Sequence, residues 1–491
     1  MGTRRITARI TAQDCLPFIK GQGETIGYTD GSNKNPDETK ILTQFSTIVP
    51  ISIDGKYLKN NDAESKLAYN PFESQPFRKK DGTFQRVWQA GRYIGTTKIN
   101  GCTIEITPRF GNEWLEYILM DLFHFRLTKS ESKNDKGKWN ELMRRILWHL
   151  WVGKFTTANQ YGLPRKTVKH TCQGIQIKGH LNTRKSIIPL LKKSQVVSDY
   201  REKEMDDTIC RIIYKAYSIL ARRDMRLSIL PPQIQESINN LYSLYQGHPI
   251  TVTANDYQSI SYKSIYQCWK PLVDFSWQII QQDSLCRQND AKGEGFSLFL
   301  DMAEIWESFL RKKLGEAFKE DGWRVLSVEE CHQRIYEGKF YEREIIPDII
   351  LQKDNDYMVF DAKYKRMRGV KANVNNSDVD RADLFQIHTY IQYVQHSLGN
   401  VVIGGLLYPI SRKNYNDDGT QYEYSESEVI DPIMYHADNL FGLNGKENIP
   451  FIVDGIYFSE TDNTDNREKM DKNVQAMIER IQNVLKTNGK N

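Results

Sequence analysis

The stretch "PDIILQKDNDYMVFDAKYK", residues 347–365, sets an acid after a proline and ends an apolar run on Asp-Ala-Lys. Two apolar segments, "IIPDIILQ" and "YMVFDAKY", flank the polar turn "KDND", as in a hairpin of two strands. Strand alternation turns Asp361 and Lys363 to one face and Ala362 to the other. Asp348 near the start of the first strand and Asp361 near the end of the second fall at the same end of an antiparallel pair. Two carboxylates and an ammonium are thereby brought together. Hard divalent cations such as Mg2+ or Mn2+ take oxygen ligands and keep several waters. Asp348 and Asp361, with the Ala362 carbonyl as a further ligand, suit such an ion beside a substrate phosphate. The ion would lower the pKa of a bound water, and Lys363 would orient that water and stabilise the charge that builds on the phosphodiester. A bare Asp-x-Lys is common, and an exposed hairpin with ordinary charges is the alternative. The apolar flanks weigh against it, since acids at the end of a buried strand need a partner or a metal.

The neighbouring elements carry polar groups that could support this chemistry. In "DMAEIWESFLRKKL" the helical apolar face holds Met302, Ile305, Trp306 and Phe309. Glu304 is expected opposite that face, and Glu307 at its border, as an extra metal or water contact or simply a solvated acid. In "DVDRADLFQIHTYIQYVQHSL" Gln386 and Tyr390 lie one turn apart, where they could orient the lysine or form the polar rim of a packed helix. The run "KYKRMRGVK" adds Lys365, Arg366, Arg368 and Lys371, either a DNA-backbone contact or a solvated loop. His388 and His396 lack further ligands at zinc spacing and read as structural or surface residues. The order helix, Pro-Asp, Asp-Ala-Lys, helix is the one a PD-(D/E)XK nuclease core requires.

These residues need a folded frame, and the composition provides for one. Of 491 residues, 39% are hydrophobic and 26% charged, which fits a globular chain rather than a disordered one. The net charge of +5 is too small to indicate nucleic acid by itself. Seven dispersed cysteines without a Cys-x-x-Cys pair suit neither a disulfide framework nor a zinc site, and fit a reducing cytoplasm. The N-terminal "MGTRRITARITAQDCLPFIK" has no apolar core for a secretory signal, and "VVIGGLLYPI" is only about half a membrane span. A cytoplasmic protein with no membrane partner is expected. No G-x-x-x-x-G-K-[ST] and no G-x-S-x-G occurs, so nucleotide hydrolysis by a P-loop and serine-hydrolase chemistry are not expected of this chain.

Periodicity predicts an α+β multidomain chain in three parts. Residues 1–112 form a β-rich domain, with alternation in "TIVPISIDGKYL" and "GRYIGTTKINGCTIEITPRF". Residues 113–290 are mainly helical, interrupted by one strand at "GIQIKGHLNT". Residues 291–491 run helix, hairpin, helix, strand, followed by an acidic loop near 412–428 and a last amphipathic helix near 466–486.

The chain resembles McrC, the nuclease subunit of McrBC-type modification-dependent restriction systems. The resemblance rests on "PDIIL…VFDAKYK" together with "DLFQIHTYIQYV", "GGLLYP", "MAEIWESFLRKKL", "GIQIKGHLNTRKSI" and "VSDYREKEMDDTICRIIYKAYSIL". "GRYIGTTKINGCTIEITPRFG" is similar to the family's G-x-I…I-x-I-x-P-[KR] entry. The matches run in the family's order over roughly residues 90–410. The resemblance implies a C-terminal α/β PD-(D/E)XK restriction-endonuclease-like core with Asp348, Asp361 and Lys363 in the metal and catalytic roles. It also implies a separate McrB-like AAA+ GTPase ring docking on the N-terminal and middle regions, modified double-stranded DNA as substrate, and paired nuclease subunits to cut both strands. A stand-alone repair or mobile-element nuclease and a non-catalytic motor adaptor are the alternatives; the intact Asp348, Asp361 and Lys363 weigh against the adaptor.

Overall fold

A computed structural model describes residues 8–15, 17–18, 26–28, 72–78, 84–99, 102–123, 135–221, 230–289, 298–331, 333–336, 343–365, 367–368, 380–411, 413–415, 421–423, 433–436, 449–458 and 467–488. The alternating segment at 47–58, Arg366 and Lys371 lie outside them, as does most of the acidic stretch near 412–428. Within that stretch Lys413–Tyr415 pairs with Gln421–Glu423.

The chain forms two compact units rather than three in series. One spans Asn140–Leu285, and the other is built from both flanks of that segment. In the flanking unit β1 (Ala8–Gln13) runs parallel to the second strand of a hairpin, β2 (Tyr93–Ile99) and β3 (Cys102–Thr107). Helix α1 (Asn112–Phe123) follows. The expected boundary at 112 is absent for two physical reasons. Residues Leu298–Asp301 add a strand to β2, which ties the N-terminal sheet to the C-terminal half by backbone hydrogen bonds. The apolar face of α1 is also covered by that half, since Trp114 packs on Phe458 and Asp121 pairs with Lys313 at 2.6 Å.

The middle unit carries α2 (Asp135–Ala158), a long hairpin β4 (Arg165–Gly174) and β5 (Val196–Met205), and between them α3 (Thr183–Lys193). The helices α4 (Asp207–Ala221), α5 (Pro232–Tyr245) and α6 (Lys270–Asn289) complete it. Its core stacks Trp151, Phe155 and Trp269, with the Trp151 indole donating to Ser276 at 3.0 Å. The strand expected at "GIQIKGHLNT" is a correction. That segment is mostly the connection after β4, with only His180–Leu181 pairing to β5. The true strands are polar on both faces and half exposed, so they lack the buried stripe that marks a strand.

The C-terminal half is a mixed sheet between helices. Strand β6 (Leu298–Asp301) leads into α7 (Met302–Phe318), capped by the Asp301 carboxylate on the Ala303 N–H at 2.9 Å. Strands β7 (Ile349–Lys353) and β8 (Asp356–Ala362) form the expected hairpin, with Ile349 opposite Phe360. Helix α8 (Arg381–Ser397) crosses to β9 (Asn400–Ser411), parallel to β8, and β10 (Pro450–Phe458) runs parallel to β9. Helix α9 (Arg467–Asn488) closes the chain. Both faces of β8 are covered: Tyr357 and Val359 join the core of Ile387, Ile391 and Val394 from α8, and Met358 and Phe360 are equally buried. A strand covered on both sides reads as a continuous apolar run, which is why "YMVF" precedes Asp361. Gly404 seats α8 on the sheet, because a Cβ there would stand 2.3 Å from the Ile391 side chain. No helix among the described residues is long and apolar enough to cross a membrane.

Candidate active site

The hairpin register delivers the acids to one end of the sheet. Asp348 directly precedes β7, and one of its oxygens accepts the Ala362 N–H at 2.9 Å, across from Asp361. Arg311 on α7 donates to the Asp348 carbonyl and lies 3.7 Å from the Glu307 carboxylate. Burial first, and then the facing Asp361 carboxylate, push the Asp348 pKa well above the usual range, against the pull of Lys363.

Asp361 is fully buried and neither of its oxygens takes a hydrogen bond. Lys363 Nζ approaches to 2.7 Å, a contact of charge rather than of aligned hydrogen bonding. The same ammonium donates to Gln386 Oε1 at 2.7 Å, and Gln386 donates in turn to the Tyr390 hydroxyl at 2.7 Å. Burial raises the Tyr390 pKa, and the carboxylates of Asp348, Asp361 and Glu307 add to that rise. The structure thus brings Asp348, Asp361, Lys363, Gln386 and Tyr390 together by contact, with Glu307 near enough to act through its field.

One expectation changes and another gains detail. Glu304, expected opposite the apolar face of α7, is 4% exposed. The reason is that α7 packs on strands β7 and β8 and also on α1 and α9, so its far side is covered as well. Lys365, read as either a DNA-backbone contact or part of a solvated loop, is half exposed and gains two acidic partners, Asp383 at 2.8 Å and Asp380 at 3.4 Å. Burial works against its charge, but these two acids more than offset that and raise its pKa. The Arg368 backbone lies in a short strand beside β9, opposite Ser411.

One residue at the site escaped the sequence. Asp383 is buried, bonds Lys365, accepts from the Tyr408 hydroxyl at 3.3 Å and lies 3.9 Å from Lys363 Nζ. Its position in the first turn of α8 reads as an ordinary helix-dipole acid, and only tertiary packing turns it toward the lysines.

The donor set fits a hard cation. A buried carboxylate with both oxygens unbonded, facing a second carboxylate that burial makes reluctant to ionise, is an arrangement that a divalent ion would satisfy. Elsewhere, His170, Glu202 and Glu204 cluster on the β4–β5 hairpin, but these groups are largely exposed and His170 already pairs with Glu204 at 2.7 Å.

Comparison with known proteins places the chain in a family. The family described as McrBC 5-methylcytosine restriction system component matches residues 88–409, in accord with the resemblance seen over roughly 90–410. Among solved structures, the chain is similar to the refined half-complex from the tetradecameric assembly of Thermococcus gammatolerans McrB AAA+ hexamers with bound McrC. That likeness has 15% identity over 97% of this chain and 100% of the other, with a TM-score of 0.46. A second likeness, to the cryo-EM structure of the Thermococcus gammatolerans McrBC complex, has 14% identity over 63% of this chain and 88% of the other, with a TM-score of 0.34. No curated protein matches. The family match spans well over half of the sequence, and the chain belongs to the McrBC 5-methylcytosine restriction system component family.

Proposed function

We propose that this restriction-system component is the McrC-type nuclease subunit, a metal-dependent DNA endonuclease on a PD-(D/E)XK core. The observation that carries the reading is Asp361, fully buried with two unbonded oxygens beside Asp348 and 2.7 Å from Lys363. Asp348 and Asp361 would hold Mg2+ or Mn2+, with the Ala362 carbonyl as a further ligand. When bound, the ion supplies an activated water and neutralises charge on the scissile phosphate. Lys363 Nζ, held between Asp361 and Gln386, orients the attacking water and meets the negative charge that grows on the phosphoryl oxygens. Gln386 keeps the ammonium in place through its amide oxygen, and Tyr390 fixes the amide by accepting from its nitrogen. Glu307, at the border of α7, is offered as a further water contact. Lys365, paired with Asp383 yet half exposed, is offered with Arg366, Arg368 and Lys371 of the basic run as a phosphate contact.

The partner in this reading is an McrB-like AAA+ GTPase ring, since the sequence carries no P-loop of its own. In the middle unit Ile175, Ile187, Ile188 and Leu191 are all more than half exposed, with Leu191 at 82%. A contiguous segment with this much bare apolar surface is what docking on a ring would bury. Cutting both strands requires two such centres, hence paired nuclease subunits. The test is a cleavage assay on modified and unmodified duplex, with and without the motor and GTP. Cutting is expected only with modified DNA, motor and GTP together. Cutting that ignores motor and GTP overturns the restriction reading and leaves a stand-alone nuclease.

A further inference from the structure

The family's entry motif ends in "ITPRF", and the proposed chemistry leaves its basic residue without a task. Arg109 is 4% exposed and lies far along the chain from the Asp-Ala-Lys segment, yet it closes on the residues just after Lys363. One terminal nitrogen donates to the Lys365 carbonyl at 3.0 Å. The guanidinium carbon lies over two rings, 4.6 Å from the centre of Phe110 and 4.5 Å from that of Tyr364. Asp14, wholly buried, anchors the residue: one carboxylate oxygen accepts the Arg109 backbone N–H at 2.5 Å, and the other stands 3.7 Å from the guanidinium as a charge contact. The neighbouring Cys15 thiol points at the Tyr364 carbonyl at 3.6 Å.

The sheet register explains why such a grip is needed. Strand β8 follows β9 as far as Ala362 opposite Leu407, and the pairing resumes with Met367 opposite Ile410. The chain takes five steps from Ala362 to Met367 while its partner takes three from Leu407 to Ile410. Two surplus residues must therefore leave the ladder directly after Ala362, and Lys363 is the first residue past the break. Its N–H still bonds the Leu407 carbonyl at 3.0 Å, but the carbonyls of Tyr364 and Lys365 turn to Cys15 and Arg109 instead of to the sheet. On the opposing side, Cys15 sits in the left-handed region with φ of 55°, a conformation costly for a residue with a Cβ. It is held there by its N–H on the Gly91 carbonyl at 2.9 Å, while the Asp14 N–H is held by Thr107 at 3.0 Å. Strain retained at such a point shows that the surroundings over-determine it.

We propose that Arg109 is a positioning residue for Lys363: with Asp14 and Cys15 it clamps the bulge after Ala362, and so fixes where the Lys363 ammonium stands relative to Asp361. Arg109 reaches neither the carboxylates nor the substrate phosphate in this account, and it acts only through the backbone of 364–365. The proposal rests on the nuclease reading for its effect on rate, but not for the grip itself. A lysine at 109 keeps the positive charge beside Asp14 and loses both the flat stacking face and the fork that reaches Lys365.

The test uses the full chain with its motor partner, comparing Arg109→Lys and Arg109→Met with the wild type by hydrogen exchange and by cleavage kinetics. Amides of 363–365 are expected to exchange at least about tenfold faster in Arg109→Lys, with Ile349–Lys353 and Asp356–Ala362 unchanged. Turnover should fall by about ten- to a hundredfold at unchanged KM for DNA, the mark of a misplaced group rather than of lost binding. Exchange that rises across the whole sheet, or nowhere, overturns the proposal, and so does local loosening with full turnover in an enzyme that cuts. If Arg109→Met does not fold, Arg109→Lys alone decides. A wild type that never cuts, with exchange still loosened locally, overturns the nuclease reading and leaves the clamp standing.

Discussion

Replacing Asp361 by Asn is expected to stabilise the metal-free protein while abolishing its activity. Asp361 is fully buried, its oxygens take no hydrogen bond, and its ion-pair partner is Lys363 at 2.7 Å. At an effective dielectric constant near 20, a pair at that separation attracts by about 6 kcal/mol. In buffer above the raised Asp348 pKa, where that facing carboxylate is ionised, it repels Asp361 and offsets much of this attraction. What remains is the desolvation of a buried ion, about several kcal/mol, with no hydrogen bond to offset it. An amide of the same shape carries no net charge and can donate to Asp348. Asp361→Asn should therefore gain about 1–3 kcal/mol in EDTA, which is a rise in Tm of about 1–2 °C per kcal/mol for a unit of this size. Adding Mg2+ at a hundred times its Kd stabilises the wild type by about 2.7 kcal/mol and the variant by much less, so the gap closes or reverses. Calorimetry of both proteins in EDTA and in Mg2+ measures this. A variant that loses more than about 1 kcal/mol in EDTA, or that gains as much from Mg2+ as the wild type does, refutes the reasoning.

Two further outcomes follow from the same site. The Asp348 pKa is raised in the fold above its ordinary value of 3.8, so the folded state holds the proton more tightly than the unfolded chain. That contribution is fully present at pH below 3.8 and is lost as pH climbs through the raised value. Thermal unfolding in EDTA should show a Tm that falls over this window in the wild type and a flatter profile in Asp348→Asn. Gly404→Val should cost about 1–3 kcal/mol in urea unfolding, because a side chain there meets Ile391 on α8 at contact distances that cannot be kept. The helix it displaces carries Gln386 and Tyr390, so turnover in a cleavage assay should fall together with stability.

Which of these features could be read from the sequence follows the physics of each. The β7–β8 hairpin was legible because its strands are short, apolar and separated by a polar turn, and alternation then placed Asp361 and Lys363 together. Helices α1, α7 and α8 were legible from their periodic apolar faces. The β4–β5 hairpin was not, because its strands bury little and carry charges on both faces. Strand β10 passed unread although "PFIVDGIYF" is almost wholly buried, since a short apolar run shows no period of its own. Glu304 was misplaced because a helical wheel treats one face as core, whereas α7 is covered on more than one. Locally, Asp383 reads only as a helix-dipole acid and Arg109 only as the basic end of the entry motif. Their significance comes from contacts to Lys363 and to Lys365, which only the folded chain brings near.

The central claim is that Asp348, Asp361 and Lys363 form one metal-dependent phosphodiesterase centre. It is tested most directly by assembling the chain with its motor, GTP, Mg2+ and modified DNA, and comparing cleavage by the wild type, Lys363→Ala and Asp361→Ala, each shown to be folded. The account predicts that the wild type cuts, that both variants lose at least about a hundredfold in turnover, and that chelating the metal abolishes cutting in all three. Cleavage that persists at the wild-type rate in either variant contradicts it.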